Sequence, residues 1–160
     1  MSLLYTTVFG QQLDQKVTLR EAIQLLESRD LINIGELAEL AISKKSGVAK
    51  CTKNHPDIDL VSGVQIKHAR SAAKSNTHRS AYISIRRSGR LHQSTILAVV
   101  TETLTGKLYY FRFPTDSFQH KRGSTIGIPF DGAGRPKLKN RWWKYRVDSF
   151  DQLCRRARRP

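Results

Sequence analysis

The chain has 160 residues, 28 Lys and Arg against 13 Asp and Glu, a formal charge of +15 and an apolar fraction of 39%. Length and apolar content support one folded domain, residues 1–160, with its own core, and exclude a disordered chain. A charge excess of this size repels itself in a compact fold, so a polyanion is the expected partner: nucleic acid first, an acidic membrane surface second.

Residues 1–17 carry no clear pattern. Thr18-Leu19-Arg20-Glu21 is a capping box, and Leu19, Ala22, Ile23 and Leu26 follow at helical spacing, predicting a helix to about Arg29. A second helix is expected from Asn33, with Ile34, Leu37, Ala38, Ala41 and Ile42 on one stripe and a stop near Gly47. Glu39 lies on the flank of that stripe, and Glu36 points further from it.

Val48–Cys51 reads as a weak strand. From Asp57 to His68 apolar and polar residues alternate on both sides of Ser62-Gly63, the pattern of two short strands and a tight turn. With Ser62-Gly63-Val64 as the loop, Val61 faces Gln65 and Asp59 faces Lys67. Asp57, Asp59, Gln65 and Lys67 then share one face, while Ile58, Leu60 and Ile66 fill the other. A polar row holding a carboxylate, an amide and an ammonium can take a divalent metal through oxygen, or simply be solvated.

Ala69–Ser80 is polar, basic and rich in small residues, and reads as a loop. Tyr82–Ile85 alternates as a strand. Thr95–Thr101 is an almost unbroken apolar run, expected of a strand covered on both faces. Thr105-Gly106 turns it into Lys107–Phe113, which Pro114 ends. His120–Arg141 is rich in Gly, Pro and basic residues, with a short apolar insert at Ile126–Phe130. Trp142–Val147 alternates again and would put its two tryptophans on opposite faces, one in the core and one free to stack on a base or seal a subunit contact. Phe150–Arg158 reads as a last short helix. The order of elements predicts an α+β fold, a mixed sheet with helices on one side.

Cys51 and Cys154 lie far apart without CxxC spacing, which fits free thiols in a reducing interior. Cys51 and His55 lack the further ligands of a zinc site. No leader is visible at Met1–Tyr5, and no apolar run nears the roughly 20 residues that span a bilayer, so a soluble, cytoplasmic protein is expected.

Gly35-Glu36-Leu37-Ala38-Glu39, Ile58-Asp59-Leu60 and Gln65-Ile66-Lys67, in that order and followed by Leu97–Val100 and Lys107–Tyr110, resemble the PD-(D/E)xK nuclease superfamily. Within it the likeness is to the group I intron homing endonucleases with a restriction-enzyme fold. It covers residues 33–114, leaving a basic Gly/Pro-rich segment at 115–147 and a basic tail at 151–160. Two departures stand out: a short gap from Asp59 to Gln65, and Gln65 where the superfamily usually carries an acid. Alignment on Pro56-Asp57 would make Asp57 the ligand in place of Asp59.

The resemblance implies a restriction-endonuclease-like core and a Mg²⁺- (or Mn²⁺-) dependent endonuclease cutting double-stranded DNA at specific sites. Asp59 would bind the metal directly, with the Gln65 amide oxygen and the Ile66 carbonyl beside it. Glu39 would hold a metal-bound water, and Lys67 would orient or deprotonate the attacking water. One site per chain implies a homodimer or homotetramer for a two-strand cut. A restriction enzyme, a Holliday-junction resolvase, a transposon-end nuclease and a toxin nuclease share this chemistry. A non-catalytic basic DNA- or RNA-binding module and a ribosome-associated protein are the readings outside it.

The residues expected to meet phosphate are Arg70, Lys74, His78 and Arg79, then Arg86, Arg87 and Arg90. Lys121, Arg122, Arg135, Lys137, Lys139 and Arg141 follow in the Gly/Pro-rich segment, and Arg155, Arg156, Arg158 and Arg159 in the tail.

Overall fold

The structure, a computed structural model, describes residues 7–8, 11–12, 33–51, 58–87, 90–91, 94–118 and 124–158, with the side chains of 33–51, 58–85, 94–118 and 124–158. The expected helix at 18–29 lies outside these residues. The chain forms two compact units, residues 1–34 and 35–160. Described in the first is a two-stranded antiparallel ladder, β1 (Thr7–Val8) with β2 (Gln11–Gln12).

The second unit is an α+β body around a mixed six-stranded sheet. Its elements are α1 (Ile34–Ser46), β3 (Val64–Ser75), β4 (His78–Ser84), the small ladder β5 (Arg86–Arg87) with β6 (Arg90–Leu91), β7 (Thr95–Thr101), β8 (Leu108–Phe113), β9 (Thr125–Asp131), β10 (Arg146–Val147) and α2 (Phe150–Ala157). The sheet order is β10-β8-β7-β3-β4-β9. Only β3 and β7 run parallel, Val64 beside Thr95 through Arg70 beside Thr101; the other neighbours are antiparallel.

Strand parity divides the sheet between two cores. Val64 and Ile66 of β3, Leu97 and Val99 of β7, and Tyr110 of β8 face α1 and α2, which contribute Ile42, Leu153, Cys154 and Ala157. Ala69, Ile96, Ala98, Val100, Phe111 and Phe113 face the other way, with Ala81 and Ile83 of β4 and Ile126, Ile128 and Phe130 of β9. Tyr109 and Phe130 have ring centroids 5.5 Å apart although β8 and β9 are four positions apart in the sheet. A flat sheet would hold them about 19 Å apart, so this one curls around its second core. The unbroken burial of Ile96–Val100 follows from helices on one side and that enclosed core on the other.

Both helix ends follow from local chemistry. Gly47, at φ +72°, donates its amide to the Ser43 carbonyl and ends α1, and the Arg158 Nε donates to the Ser46 carbonyl at 2.6 Å. At α2, the Ser149 hydroxyl accepts the Gln152 amide at 3.2 Å. Ser149→Ala is therefore expected to cost about 1 kcal/mol in urea unfolding, with an unchanged m-value.

Several expectations are overturned. Residues 69–80 are not a loop: β3 runs on to Ser75, turns at Asn76-Thr77 and returns as β4. Its far half hides from periodicity because Ala69 and Ser71, small residues, face inward while Arg70, Ala72, Ala73, Lys74 and Ser75 are exposed. The insert at Ile126–Phe130 is strand β9 and closes one edge of the sheet, so the basic segment supplies core as well as surface. Residues 142–147 are mostly not a strand; a 3₁₀ turn at Trp143–Tyr145 precedes two ladder residues and turns both tryptophans into the same core, 5% and 6% exposed. Neither indole is a free base-stacking platform. Leu37, expected on the buried stripe of α1, is exposed, and the helix contacts its core mainly through Ile42 and Ala38.

Candidate active site

Residues 58–67 form a tight reversal, with a register different from the one expected. Leu60 bridges Val64 around Val61-Ser62-Gly63, and Gly63 takes φ +88°. The glycine supplies the left-handed position of a three-residue turn, and Val64, fully buried, goes to the strand. Because the loop is still odd-numbered, Asp59 keeps the parity of Gln65 and Lys67. It lies one pair closer than expected, across from Gln65 instead of Lys67.

The Val64 carbonyl accepts the Asp59 and Leu60 amides, and Asp59 Oδ2 accepts the Ile66 amide at 2.6 Å. Alternate residues of a strand turn their peptide groups to the same flank, so the Ile66 carbonyl lies on the Asp59 side of β3, away from β7. Residues 59–61 are braced from outside by Val48–Cys51, the weak strand: Val61 donates to the Ala49 carbonyl and Cys51 to that of Asp59. Gln65 is buried at 6% exposure.

Glu39 projects from α1 and pairs with Lys50 at 2.8 Å. Burial raises the Asp59 carboxyl above the ordinary carboxylate range and the charge of Glu39 adds to this, while the Ile66 amide, Lys67 and Lys50 pull it down. Hydrogen bonding to Glu39 raises the Lys50 ammonium against the opposing effect of burial, with Glu36 and Asp59 adding to the rise. Glu39, Lys50 and Lys67 thus all act on the charge of Asp59. Asp57 lies outside the described residues.

Two repelling carboxylates, one of them half-buried against its charge, make a set of hard oxygen donors that a divalent cation would relieve. The Ile66 carbonyl stands on the same flank, and hard oxygen donors of this kind are the type that Mg²⁺ or Mn²⁺ takes. Among the described residues no three His, Cys, Asp or Glu side chains converge, so the remaining donors would be the Gln65 amide oxygen, that carbonyl and water. Lys50 was missed by sequence reasoning. Its signal is the pairing of its weak strand with residues 59–61.

The basic residues separate into three groups. Arg79 is committed to the core: its Nε pairs with Glu102 Oε1 at 2.8 Å and a terminal nitrogen donates to Thr103 Oγ1 at 2.6 Å. It leaves the expected phosphate-binding set for that reason. Arg135 pairs with Asp131 at 2.7 Å, and Lys137 Nζ lies 3.0 Å from His78 Nδ1. Arg70, Lys74, Lys139, Arg141, Arg155 and Arg156 are exposed, the last two with Gln152 and Arg158 around an open recess at α2. Lys121, Arg122 and Arg159 lie outside the described residues, as do the side chains of Arg86, Arg87 and Arg90.

Cys51 and Cys154 are free, and burial raises the Cys154 thiol. His68 Nε2 lies 3.0 Å from Thr101 Oγ1, a structural position between two sheet neighbours. No helix among the described residues is long and apolar enough to cross a membrane. No family model matches this chain, and no curated protein matches it either.

Proposed function

We propose that this chain is a divalent-metal-dependent endonuclease with a restriction-endonuclease-like core, cutting double-stranded DNA and acting as a homodimer or homotetramer. The observation that carries the reading is the Asp59 carboxylate, half-buried on the free flank of β3 against the Ile66 amide, with Glu39 raising its pKa and Lys67 lowering it. Asp59, Glu39, the Gln65 amide oxygen and the Ile66 carbonyl would hold the cation. Bound there, it would supply charge neutralisation at the phosphoryl oxygens and activation of water. Lys67, on the parity of Asp59, orients the attacking water and meets the phosphate charge. Lys50 holds Glu39 in place and would yield it to a bound cation. A neutral Gln65 leaves the site one negative charge short of the usual acidic set, so Glu39 matters more here.

Asp59 carries a stability signature with the opposite sign from that of an ordinary salt-bridged acid. Its folded-state pKa is raised, so its ionisation opposes folding; the penalty is absent at low pH and fully present above that pKa. Asp59→Asn is therefore expected to melt higher than the parent at neutral pH without metal and to lose the upward shift that Mg²⁺ gives the parent. Incubated with plasmid and genomic duplex DNA and Mg²⁺, the parent should yield mapped ends. Asp59→Asn and Lys67→Ala should give none while binding DNA nearly as well as the parent. Cleavage by either variant would overturn the assignment.

A specific observation favours a second reading, a non-catalytic basic module: the Glu39–Lys50 pair and the Asp59–Ile66 bond already give the two carboxylates internal partners. It predicts salt-sensitive DNA binding, no Mg²⁺-dependent melting shift, and no product at any protein concentration.

A further inference from the structure

The face of the sheet that carries α1 and α2 continues past them, along the far half of β3 and across β4 and β9. Parity puts Arg70, Ala72 and Lys74 of β3 on it with His78, Ser80, Tyr82 and Ser84 of β4, opposite the core residues Ala81 and Ile83. Gln65 and Lys67 have the other parity, so this surface is on the opposite side of β3 from those two side chains. It is wide enough for an extended chain, since Arg70 and Lys74 are separated by about 13 Å of strand.

Tyr82 stands out on this face, 46% exposed among small and polar neighbours. Its partner on β9 is Gly127, and a Cβ built there would lie 3.4 Å from Tyr82 Cε1, so the ring lies across the glycine. The Lys74 ammonium sits over the ring, 4.6 Å from its centroid, and hydrogen-bonds the phenol, lowering its pKa. At the far end, Lys137 Nζ meets His78 Nδ1 at 3.0 Å, and His78 Nε2 meets Ser80 Oγ at 2.9 Å. An ammonium has only donors, so Nδ1 accepts from Lys137, and the lysine is held at the edge of the face. Asp131, in register with His78 and the one carboxylate among the described residues of this row, is occupied by Arg135.

We infer that this surface binds single-stranded nucleic acid, with one unpaired base stacked on Tyr82 and the flanking phosphates met by Arg70, Lys74 and Lys137. The occupant follows from chemistry: cations at both ends of an exposed aromatic ring match a strand that alternates phosphates with flat bases. Lys74 covers the ring until a base takes its place, then swings to the adjacent phosphate. A duplex, with its bases stacked inside, offers nothing to the ring. The inference needs no cleavage and no metal, so it stands apart from the nuclease reading.

The test is fluorescence anisotropy of the full chain in EDTA, with a labelled short oligothymidylate and a mixed-sequence duplex as probes. Tyr82→Ala is expected to weaken oligothymidylate binding about 5- to 100-fold, Tyr82→Phe to retain it, and both to leave duplex binding within about 2-fold. Lys74→Ala and Lys137→Ala should each flatten the salt dependence for the single strand. Asp59→Asn should bind the single strand like the parent, which separates this site from the other. Equal affinity of Tyr82→Ala and the parent, equal losses on both probes, or no binding of oligothymidylate by a parent that melts cooperatively would each overturn the inference. So would capture of an acidic polypeptide in place of the oligonucleotide.

Discussion

Glu102→Ala is expected to destabilise the second unit by about 3–5 kcal/mol, a large fraction of the total stability of a domain this size. Glu102 follows β7 and is fully buried. Its Oε1 accepts from Ser71 Oγ and Arg79 Nε, both at 2.8 Å, and its Oε2 from the Thr105 amide at 2.7 Å and hydroxyl at 2.9 Å. Burial alone would lift its pKa, but these donors outweigh it and hold the carboxyl at about 2, against an ordinary 4.5. Since the folded-state pKa is depressed, the stabilisation is fully present above the unfolded value and is lost as pH falls through the folded one. The gap amounts to about 3 kcal/mol, lost between about pH 4.5 and pH 2. Removing the side chain costs more than this, because Arg79 and the Thr105 amide are left without their acceptor in a nearly dry site. The pH dependence separates this from loss of packing: in urea titrations the parent and Glu102→Gln should differ most at neutral pH and converge toward pH 2. A loss under 1 kcal/mol for the alanine variant would mean that solvent reaches the carboxylate. Gly134 guards the same spot, since a Cβ there would come within 2.5 Å of Glu102 Oε2 at a backbone φ of +76°.

This network marks where the sequence stops being legible. Glu102 closes an apolar strand and looks like an ordinary polar terminus; only the β3–β4 turn brings Ser71 and Arg79 to it. That turn was hidden for the same reason, because the inward positions of β3 beyond Ala69 are small or polar. Periodicity detects a buried apolar row, and a row of small residues serving a buried carboxylate gives none. Where the inward residues are large, as in Thr95–Thr101 and Leu108–Phe113, the strands are readable to within a residue. The helix from Ile34 was readable from its end signals, although Leu37 of its expected stripe is exposed, and the bounds of the last helix were readable to within a residue.

At the candidate site, the odd-length turn and the shared parity of Asp59, Gln65 and Lys67 follow from the alternation around Ser62-Gly63. The pairing of Asp59 with Gln65 does not, because it depends on which side of Gly63 the loop takes its third residue. Val64 settles this through burial against Leu97 and Ile42, contacts made by elements distant in sequence. Lys50 was illegible for a related reason: its strand is too short to show periodicity and is defined only by its pairing with residues 59–61.

Trp143→Ala should cost about 3–5 kcal/mol, and Trp142→Ala less. The two indoles are adjacent and similarly buried, so the difference lies in what each one joins. Trp143 stands 5.3 Å from Tyr109, 5.2 Å from Phe111 and 5.5 Å from Phe130, and its Nε1 donates to the Pro129 carbonyl at 3.4 Å. It therefore ties β8 to β9 across the mouth of the curl, a closure that no ladder of backbone hydrogen bonds supplies between those strands. Trp142 packs on Phe113 of β8 and on its near neighbour Tyr145, with the Arg141 guanidinium over its ring, and reaches one strand only. Loss of Trp143 leaves a cavity lined by two aromatic rings of β8 and one of β9, which cannot close it without uncurling the sheet. In urea, Trp143→Ala should lower the midpoint strongly, and Trp143→Phe should recover part of the loss if the alanine variant is too unstable to measure. Nucleic-acid binding by the folded Trp143→Phe protein should match the parent, because the indole faces the core. A small stability change joined to a large binding defect would instead place Trp143 at the surface, and the curled closure of the sheet would be wrong.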